Sequence, residues 1–447
     1  MLKQRAVSAS VLWSSCLAML AVGANSTAIM AALPDMRTDL SLGAAGVEWA
    51  VNAYLVVSAA CIVLGGQAAD RIGPRQVSFL GLALFGVASC IIATALEQTA
   101  LLVGRALQGL AAAFAVPGTL AAVSISAGPQ RRSQAIAAWA GFLMLGFSIG
   151  PLLGGTLTHV TGWRLIFWLN VVLMVMAMAG LVSDGSMTSH DKRAPSPRID
   201  WIGFVLLATL MASLVFALHG VPHAASAPLS VVAPLLLATI AFVLLLIAEA
   251  RIEPPLIDLS FFARRAFVMG VTIGSLSMFS IMSLLLYFNL YAQSEEGLGL
   301  TALEAGALLL PLSASLIALA LSASTVAARL GLRNAMAGGM ALIAAAAIII
   351  LGAIMGGLIV LLAVGFLVMG AGLAVPYALA PRLALSALSP SQAGQGSGLV
   401  NACTFLGGSV GVASGATAQA LGGFSAVLMM IVLAGILGSA LSRGIAE

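Results

Sequence analysis

The chain has 447 residues, of which 61% are hydrophobic and only 8% are charged, and its mean hydropathy is +1.12. This composition excludes an ordinary soluble domain and is typical of an integral membrane protein. The net charge of +4 is not concentrated on a basic surface with interleaved aromatic residues, so we do not expect nucleic acid as a partner. The expected surroundings are a lipid bilayer.

Fourteen apolar stretches are each long enough to cross a hydrocarbon core of roughly 30 Å as a helix. The first follows Lys3 and Arg5 but reaches Leu33-Pro34 without a small-residue cleavage site, so we predict a retained span rather than a signal peptide. The predicted spans are about 11–33, 47–68, 76–96, 99–124, 134–158, 163–183, 200–219, 230–250, 267–292, 302–327, 334–354, 357–385, 392–419 and 423–442.

Basic residues fall mainly in the even-numbered loops between these spans, whereas the odd-numbered loops hold little beyond Arg37 and Arg164. By the positive-inside rule, we expect the even loops and both termini to be cytoplasmic in a bacterial inner membrane. The even-loop residues are Arg71, Arg75, Arg131, Arg132, Lys192, Arg193, Arg198, Arg251, Arg264, Arg265, Arg329 and Arg333.

Three segments of the first half return in the second half at nearly the same spacing. The turn 71–75 returns at 329–333, an offset of 258; segment 115–121 returns at 374–380, an offset of 259; and the glycine pattern of 146–154 returns at 407–415, an offset of 261. The repeat predicts two six-helix bundles in the same orientation, residues 1–185 and 253–447, joined by a linker with two extra helices, 186–252. Parallel repeats of this kind suit a transporter in which one bundle rocks against the other.

Arg105 is the most informative residue, because it lies inside span 4 while the acidic residues lie at or beyond span ends. An ionisable group inside a membrane costs several kcal/mol, on the order of 3 by insertion scales, and so suggests a functional site. At an offset of 259 its repeat position holds Val364, and that of Gln108 holds Leu367. The polar pair therefore belongs to the first half alone.

Two interpretations of Arg105 remain open. In the structural one, its guanidinium donates to backbone carbonyls and to Gln108 across a helix interface. In the functional one, which we favour, Arg105 lines a wet central cavity and responds to substrate or to a protonation event.

Three longer segments carry a family resemblance. They are Gly66-Gln67-Ala68-Ala69-Asp70-Arg71-Ile72-Gly73-Pro74-Arg75, Leu102-x-x-Arg105-x-x-Gln108-Gly109, and Gly146-x-x-x-Gly150-Pro151-x-x-Gly154-Gly155. Shorter ones are Trp163-Arg164-x-Ile166-Phe167-x-x-Asn170, Asp200-Trp201-x-Gly203 and Pro255-Leu256-Ile257-Asp258-Leu259. Together they resemble the major facilitator superfamily and, within it, the fourteen-span drug/proton antiporter group.

The resemblance implies an all-α membrane protein with the major facilitator fold and fourteen transmembrane helices. It also implies two sets of conformational residues: Gly66, Asp70, Arg71, Gly73 and Arg75 as a latch, and Gly146, Gly150, Pro151, Gly154 and Gly155 as a gating bend. Glycines at four-residue spacing otherwise serve ordinary helix packing, which is our interpretation of Gly407, Gly411 and Gly415.

The first span departs from the family pattern. Relatives usually carry aspartate where Asn25 stands and asparagine where Met30 stands, and an amide takes up no proton near neutral pH. Either the protein couples through another acid or not at all, or residue 25 has been changed from aspartate to mimic the protonated state; the second departure, at Met30, favours divergence. Glu48 is the best substitute proton carrier, although a solvated carboxylate at a helix start is an equal alternative.

The favoured function is secondary export of small amphipathic compounds by alternating access, in exchange for protons. The alternatives are an uncoupled facilitator of a neutral or anionic metabolite and a non-transporting scaffold or sensor. We expect no enzymatic activity, no cofactor beyond the proton, no metal, a monomer, and no role for the histidines. Candidate substrate or coupling residues are Asn25, Glu48, Asn52, Tyr54, Arg105, Gln108, Tyr287, Asn289, Tyr291, Gln293 and Asn401.

Overall fold

The computed structural model describes residues 9–127, 131–183, 200–224, 226–251, 256–389 and 392–445. The predicted domain boundaries after residues 185 and 252 lie outside this part of the chain, as do Lys3, Arg5, Lys192, Arg193, Arg198 and Pro255. The helices are α1 Ala9–Asp39, α2 Ala44–Ile72, α3 Pro74–Ala93, α4 Gln98–Ser126, α5 Arg132–Thr161, α6 Arg164–Ser183, α7 Trp201–Gly220, α8 Leu229–Glu249, α9 Arg265–Gln293, α10 Ala302–Leu308, α11 Leu310–Leu330, α12 Leu332–Gly356, α13 Ile359–Ser386 and α14 Ala393–Ser442.

Thirteen helical segments in the described residues are long and apolar enough to cross a membrane, which confirms the all-α membrane fold. One of them combines α10 and α11, which meet at Leu309 immediately before Pro311. The last, α14, has 50 residues and non-helical backbone at Gly422 and Gly423. A continuous helix of this length would measure about 75 Å, more than twice a hydrocarbon core, so the two helical parts on either side of Gly422 and Gly423 correspond to the last two predicted spans.

The helices before and after the inserted pair pack mainly among themselves. In the first half α1 packs on α5 and α6, and α4 packs on α2 and α3; in the second half α9 packs on α14 and α13, and α13 packs on α11 and α12. The inserted helices α7 and α8 pack on each other, and α7 also contacts α2 and α14. The inserted pair therefore touches both halves through α7.

Glycine turns join corresponding helices in the two halves. Gly73 between α2 and α3 has φ +102°, and Gly331 between α11 and α12 has φ +81°. A side chain is strained at such angles, so both turns depend on glycine. Gly73 and Gly331 are 258 positions apart and both have positive φ, in agreement with the offset of 258 predicted for this turn.

The register of α4 and α13, in contrast, differs from the predicted one. Gly104 lies against α3 and Gly365 against α12, while Gly109 lies against α2 and Gly370 against α11. Both glycine pairs are separated by 261 residues. The offset of 259, taken from two similar Ala-Val-Pro segments, is therefore wrong for these helices. Close backbone contacts at glycine set the register, whereas short apolar segments recur by composition.

The residues of α13 that correspond to Arg105 and Gln108 therefore differ from the predicted ones. Val364 and Leu367, at the offset of 259, are 45% and 51% exposed. The residues at the offset of 261 are fully buried, and they are Phe366 and Met369. The conclusion that the polar pair is confined to the first half still stands.

Candidate functional site

The first six helices enclose a buried polar network made of Asn25, Ser89, Arg105, Gln108 and Asn170. These side chains come from α1, α3, α4 and α6, and each is at most 4% exposed. Their sequence positions span 145 residues, so only the packing of the helices brings them together.

Arg105 is the charged member of this network. Its Nε donates to the Ala50 carbonyl at 2.7 Å, one terminal nitrogen donates to Gln108 Oε1 at 2.7 Å, and its guanidinium lies 4.7 Å from the centre of the Tyr54 ring. The other terminal nitrogen, Nη2, is buried and has no hydrogen-bond partner among the described residues. A buried cation with a free N–H can donate a further hydrogen bond to an oxygen ligand without breaking an existing bond.

The amides extend the network from Arg105 to α1 and α6. Gln108 Nε2 donates to Ser89 Oγ at 2.9 Å and to Asn25 Oδ1 at 3.4 Å, and Asn170 Nδ2 donates to the same Asn25 oxygen at 2.8 Å. Asn25 therefore lies at the junction of α1, α4 and α6. Asn170 and Ser89 were missed as site residues from the sequence; an asparagine in the apolar span 6 was the available signal.

A small cavity of about 50 Å³ borders this network. Asn25 and Asn170 contribute its polar wall, and the rest of the wall is apolar: Leu20, Ala21, Ala24, Ala28, Ile149, Leu153, Ile166, Leu169 and Leu173. Such a volume holds water molecules rather than a drug-sized compound, which needs roughly 300 Å³ or more.

The prediction that Arg105 lines a wet central cavity is wrong for this conformation. Arg105 and Gln108 are fully buried and do not border the cavity. Arg105 donates to a backbone carbonyl and to Gln108, as expected if Arg105 serves to join helices rather than to bind substrate. The physical reason is that α4 packs closely on α3 at Gly104 and on α2 at Gly109, which buries both side chains.

A second polar cluster, the outer-end cluster, consists of Glu48, Asn52, His219 and Ser409. The predicted extracellular end of the helices, where residues 40–43, 94–97, 221–224, 226–228 and 294–301 lie, is called the outer end here. His219 Nε2 lies 3.0 Å from Glu48 Oε2 and 3.4 Å from Asn52 Nδ2, and Ser409 Oγ donates to Asn52 Oδ1 at 2.8 Å. The cluster thus joins α2, α7 and α14.

Two expectations about this cluster are corrected. Glu48 is not a freely solvated carboxylate, since its side chain is only 15% exposed and contacts His219. His219, for which no role was expected, is 8% exposed and belongs to the cluster. Sequence reasoning missed His219 because Glu48 lies 171 positions away in the sequence.

The remaining candidate polar residues make separate contacts. Asn289 and Asn401 donate to carbonyls of their own helices, and the Tyr291 ring stacks on Phe424 at 5.3 Å. Tyr287 donates to the Val412 carbonyl at 2.7 Å, and Gln293 donates across the halves to the Ala31 carbonyl at 3.0 Å. These five residues therefore do not form one site with Arg105.

The glycines of α5 pack on two sides. A Cβ on Gly146, Gly150 or Gly154 would overlap atoms of α1, whereas a Cβ on Gly155 would overlap the backbone of Ala302 in the second half. Pro151 lies inside α5, and its carbonyl is next to Gly306. The first three glycines hold α5 to α1, while Gly155 and Pro151 lie at the contact between the halves.

In the latch segment, Arg75 donates to the Val182 carbonyl at 3.1 Å and Gly73 forms the turn. Arg71 and Asp70 are exposed beside it. Gly66 has open space around its Cα. The segment thus links the α2–α3 turn to the end of α6.

Comparison with known proteins identifies the family. The model of the Major Facilitator Superfamily matches residues 15–412, and the chain belongs to that family of membrane transporters. It is a multi-pass membrane protein.

Several relatives are resistance or export proteins. The chain is 32% identical over 305 residues to the methylenomycin A resistance protein of Bacillus subtilis, and 31% identical over 326 residues to the tetracenomycin C resistance and export protein of Streptomyces glaucescens. These matches cover 68% and 73% of this chain but only 64% and 60% of the relatives, less than two thirds of their lengths. The puromycin resistance protein of Streptomyces alboniger is 27% identical, with 90% of this chain and 81% of that protein covered.

Solved structures support the fold at low sequence identity. The human organic anion transporter MFSD10 matches with a TM-score of 0.64 and 19% identity over 99% of this chain and all of the other. A peptide transporter bound to alafosfalin matches with a TM-score of 0.70 and 16% identity over 98% of both chains.

Proposed function

We propose that the protein is a secondary exporter that moves small amphipathic compounds out of the bacterial cytoplasm by alternating access, in exchange for protons. The observation that carries this proposal is the similarity to resistance and export proteins over 68 to 90% of the chain. The protein acts as a monomer in the inner membrane, with both termini in the cytoplasm.

Contacts between the halves support an alternating-access cycle. In the outer half of the helices, Gln293 donates to the Ala31 carbonyl, Ser313 donates to the Ser148 carbonyl, and Ser409 donates to Asn52. These few polar contacts between two separately packed sets of helices are easily exchanged for water when the halves part. The conformation described here is closed at these contacts.

The charge of the polar network limits the substrate class. Arg105 contributes a positive charge, and the described part of the chain pairs it with neutral groups rather than a carboxylate. A multivalent organic cation entering this region would bring like charge into a low-dielectric space. Neutral, zwitterionic or anionic amphipathic compounds therefore fit better.

Transport by purified protein in vesicles tests the proposal. Tritiated puromycin, methylenomycin A and tetracenomycin C are offered outside vesicles whose interior is made acidic. Accumulation of at least one compound that collapses with the pH gradient supports proton-exchange transport. Protein-free vesicles, and protein-containing vesicles at equal pH on both sides, are the controls.

Asn25 favours one alternative, an uncoupled facilitator, because the family's carboxylate is missing there. Equilibration of a compound at the same rate with and without a pH gradient would select this alternative. Absence of movement for every compound, together with stoichiometric binding of a partner protein, would select a scaffold or sensor.

A further inference from the structure

The contact between Glu48 and His219 requires a proton that neither side chain carries in its ordinary neutral-pH form. His219 Nδ1 lies 3.0 Å from the Val215 carbonyl, which only accepts, so Nδ1 carries a hydrogen. In that tautomer a neutral imidazole presents a lone pair at Nε2, and Nε2 lies 3.0 Å from a Glu48 carboxylate oxygen. Two acceptors at this distance repel each other unless one of them is protonated.

We propose that Glu48 and His219 form a proton-binding site that couples transport to the pH gradient. The site holds one proton, either as imidazolium with carboxylate or as imidazole with carboxylic acid. Both side chains are largely buried, so an unprotonated pair would be poorly compensated by water. This inference rests on the proposed proton exchange and assigns it a site that replaces the carboxylate missing at Asn25.

The site lies where a proton can control the outer end. Glu48 is on α2 and His219 on the inserted helix α7, while Asn52, one turn along α2, accepts from Ser409 of α14. The shared proton therefore stabilises the contact of α7 with α2, next to the Asn52–Ser409 contact between the two halves. Tyr287 on α9, whose hydroxyl donates to the Val412 carbonyl, interacts electrostatically with Glu48, and Ser409 on α14 is linked to the pair through Asn52.

For the exchange to balance, the proton taken up from outside leaves toward the cytoplasm while the outer end is closed. Its loss turns the Glu48–His219 contact into a repulsive one and favours separation of the helices at the outer end. Protons from outside then bind the opened pair and restore the closed conformation. The inserted hairpin thus has a role in coupling, since it supplies one of the two proton-binding groups.

Fluorescence provides a direct test, because Trp49 stacks on the His219 ring at 4.9 Å and protonated imidazole quenches indole emission. We expect the emission of the parent protein to depend on pH. The pH dependence should disappear in His219→Gln and in Trp49→Phe, and it should differ in Glu48→Gln, which lacks the carboxylate that shares the proton. An identical titration in His219→Gln, or an unmoved midpoint in Glu48→Gln, would refute the site.

Transport separates failure of this site from failure of the proposed function. Glu48→Gln and His219→Gln should lose at least about 90% of gradient-driven accumulation while retaining exchange of labelled for unlabelled compound. Glu97→Gln and His159→Gln, which change exposed groups near the same end, should behave as the parent protein. If the parent accumulates substrate and both pair variants do so equally, the proton site is wrong; if the parent accumulates none, the proposed function is wrong.

A second pair of titratable groups lies at the opposite end of the inserted hairpin. Asp200 caps the start of α7 and Glu249 ends α8, and each is 6% exposed. Asp200 Oδ1 accepts from the Gly203 amide at 2.8 Å and Glu249 Oε2 accepts from the Ile257 amide at 3.0 Å. Their other oxygens, Oδ2 and Oε1, have no hydrogen-bond partner among the described residues.

The two unpartnered oxygens face the same point. A Cβ on Gly203 would lie 2.5 Å from Asp200 Oδ2 and 2.6 Å from Glu249 Oε1, so the oxygens are at most about 5 Å apart. Two ionised carboxylates this close and this buried strongly disfavour each other. We infer that the pair binds a single proton, which holds the cytoplasmic ends of α7 and α8 together. Among the described residues, the nearest other charged groups along the chain are the exposed Arg251 and Asp258, which accepts from Gln392; Arg198 and Glu253 lie outside the described residues.

Thermal unfolding of detergent-solubilised protein tests the shared proton. A pair that holds more protons folded than unfolded stabilises the protein at low pH, and this stability is lost as pH rises through the folded-state titration. Between pH 6 and pH 9, the unfolding temperature of the parent should fall by about 2–4 °C more than that of Asp200→Asn or Glu249→Gln. In each variant the amide N–H takes the place of the shared proton at every pH, so this part of the pH dependence is lost. Glu97→Gln should keep the parent's pH dependence.

Two results would overturn the shared proton. One is the same pH dependence in the parent and in both amide variants. The other is stabilisation of the parent, but not of the variants, by sodium or lithium ions at constant ionic strength, which would assign the pair to a metal cation instead.

Discussion

Helices α4 and α13 occupy corresponding places in the two halves, yet their buried faces have opposite chemistry. Both place glycines at the same spacing against their neighbours. Between those glycines α4 buries Arg105 and Gln108, whereas α13 buries Phe366 and Met369. The scaffold is shared and the polar network is not.

The surroundings of the two pairs explain why each half accepts only one of them. Arg105 has the Ala50 carbonyl, Gln108 and the Tyr54 ring as partners. Phe366 instead packs edge-on against Phe288, with ring centres 4.7 Å apart. A buried arginine is tolerated in the core of a membrane protein where its N–H groups have hydrogen-bond acceptors. Packed aromatic rings offer it no such acceptors. Substrate chemistry is therefore expected in the first half and mechanical support in the second.

Moving the polar pair to the second half should have the largest effect. In Phe366→Arg with Met369→Gln, a guanidinium would be buried against Phe288 without the carbonyl that serves Arg105. We expect destabilisation by several kcal/mol, about 3 or more, and little folded protein in the membrane. Size-exclusion profiles and unfolding temperatures measure this; normal yield and stability would show that the halves do not differ in polarity tolerance.

Removing the charge from the first half should abolish transport. Arg105→Ala leaves Gln108 and Tyr54 without their partner, and we expect gradient-driven accumulation to fall at least about tenfold, the equivalent of about 1.4 kcal/mol. Phe366→Leu is the matched control, because it changes the corresponding buried position without altering charge. Uptake normalised to folded protein makes the comparison, and undiminished uptake in Arg105→Ala would remove this residue from the site.

Glycine contacts should be equally sensitive in both halves. Gly154→Ala would place a Cβ against the Ala28 backbone, and Gly407→Ala would place one against Ser275. Each should cost about 1–3 kcal/mol of stability, measured as a lower unfolding temperature. Gly66→Ala, which meets open space, should not destabilise. A neutral result at Gly407 with a large loss at Gly154 would indicate that only the first half depends on close packing.

The two glycine turns should show the smallest effects. Gly73→Ala and Gly331→Ala place a side chain at positive φ, at a cost of about 1–2 kcal/mol each. Gly338→Ala, in a helix with open space around it, should instead be neutral or stabilising. Thermal unfolding of the three variants tests whether the turns are equivalent, and a tolerant Gly73 beside a sensitive Gly331 would contradict that equivalence.

The sequence predicted the helices well because every crossing of a hydrocarbon core needs a long apolar segment. Thirteen such segments are present in the described residues, and the predicted break between the last two spans, after residue 419, lies close to Gly422. The register between α4 and α13 was not predictable in the same way. Alanine and valine are so common here that a matching Ala-Val-Pro segment carried little information, and the glycine contacts decided the matter.

The candidate site was predictable only in part. Asn25, Arg105 and Gln108 were identified from single polar residues in apolar spans, and they do lie together. Their burial and their link to Asn170 depend on how α1, α4 and α6 pack. His219 could not be assigned to Glu48 from the sequence, because a polar residue at a span end is ordinarily solvated.

By itself the sequence determined the class of the protein, its helical segments and the unequal distribution of charge between its halves, because apolar length and polar residue type are properties of local chain segments. The tertiary structure alone decided which polar groups meet, which oxygens and nitrogens remain without partners, and which positions correspond between α4 and α13. Those outcomes depend on distances across helices far apart in sequence. Close backbone contacts between helices, made possible by glycine at the contact points, set those distances.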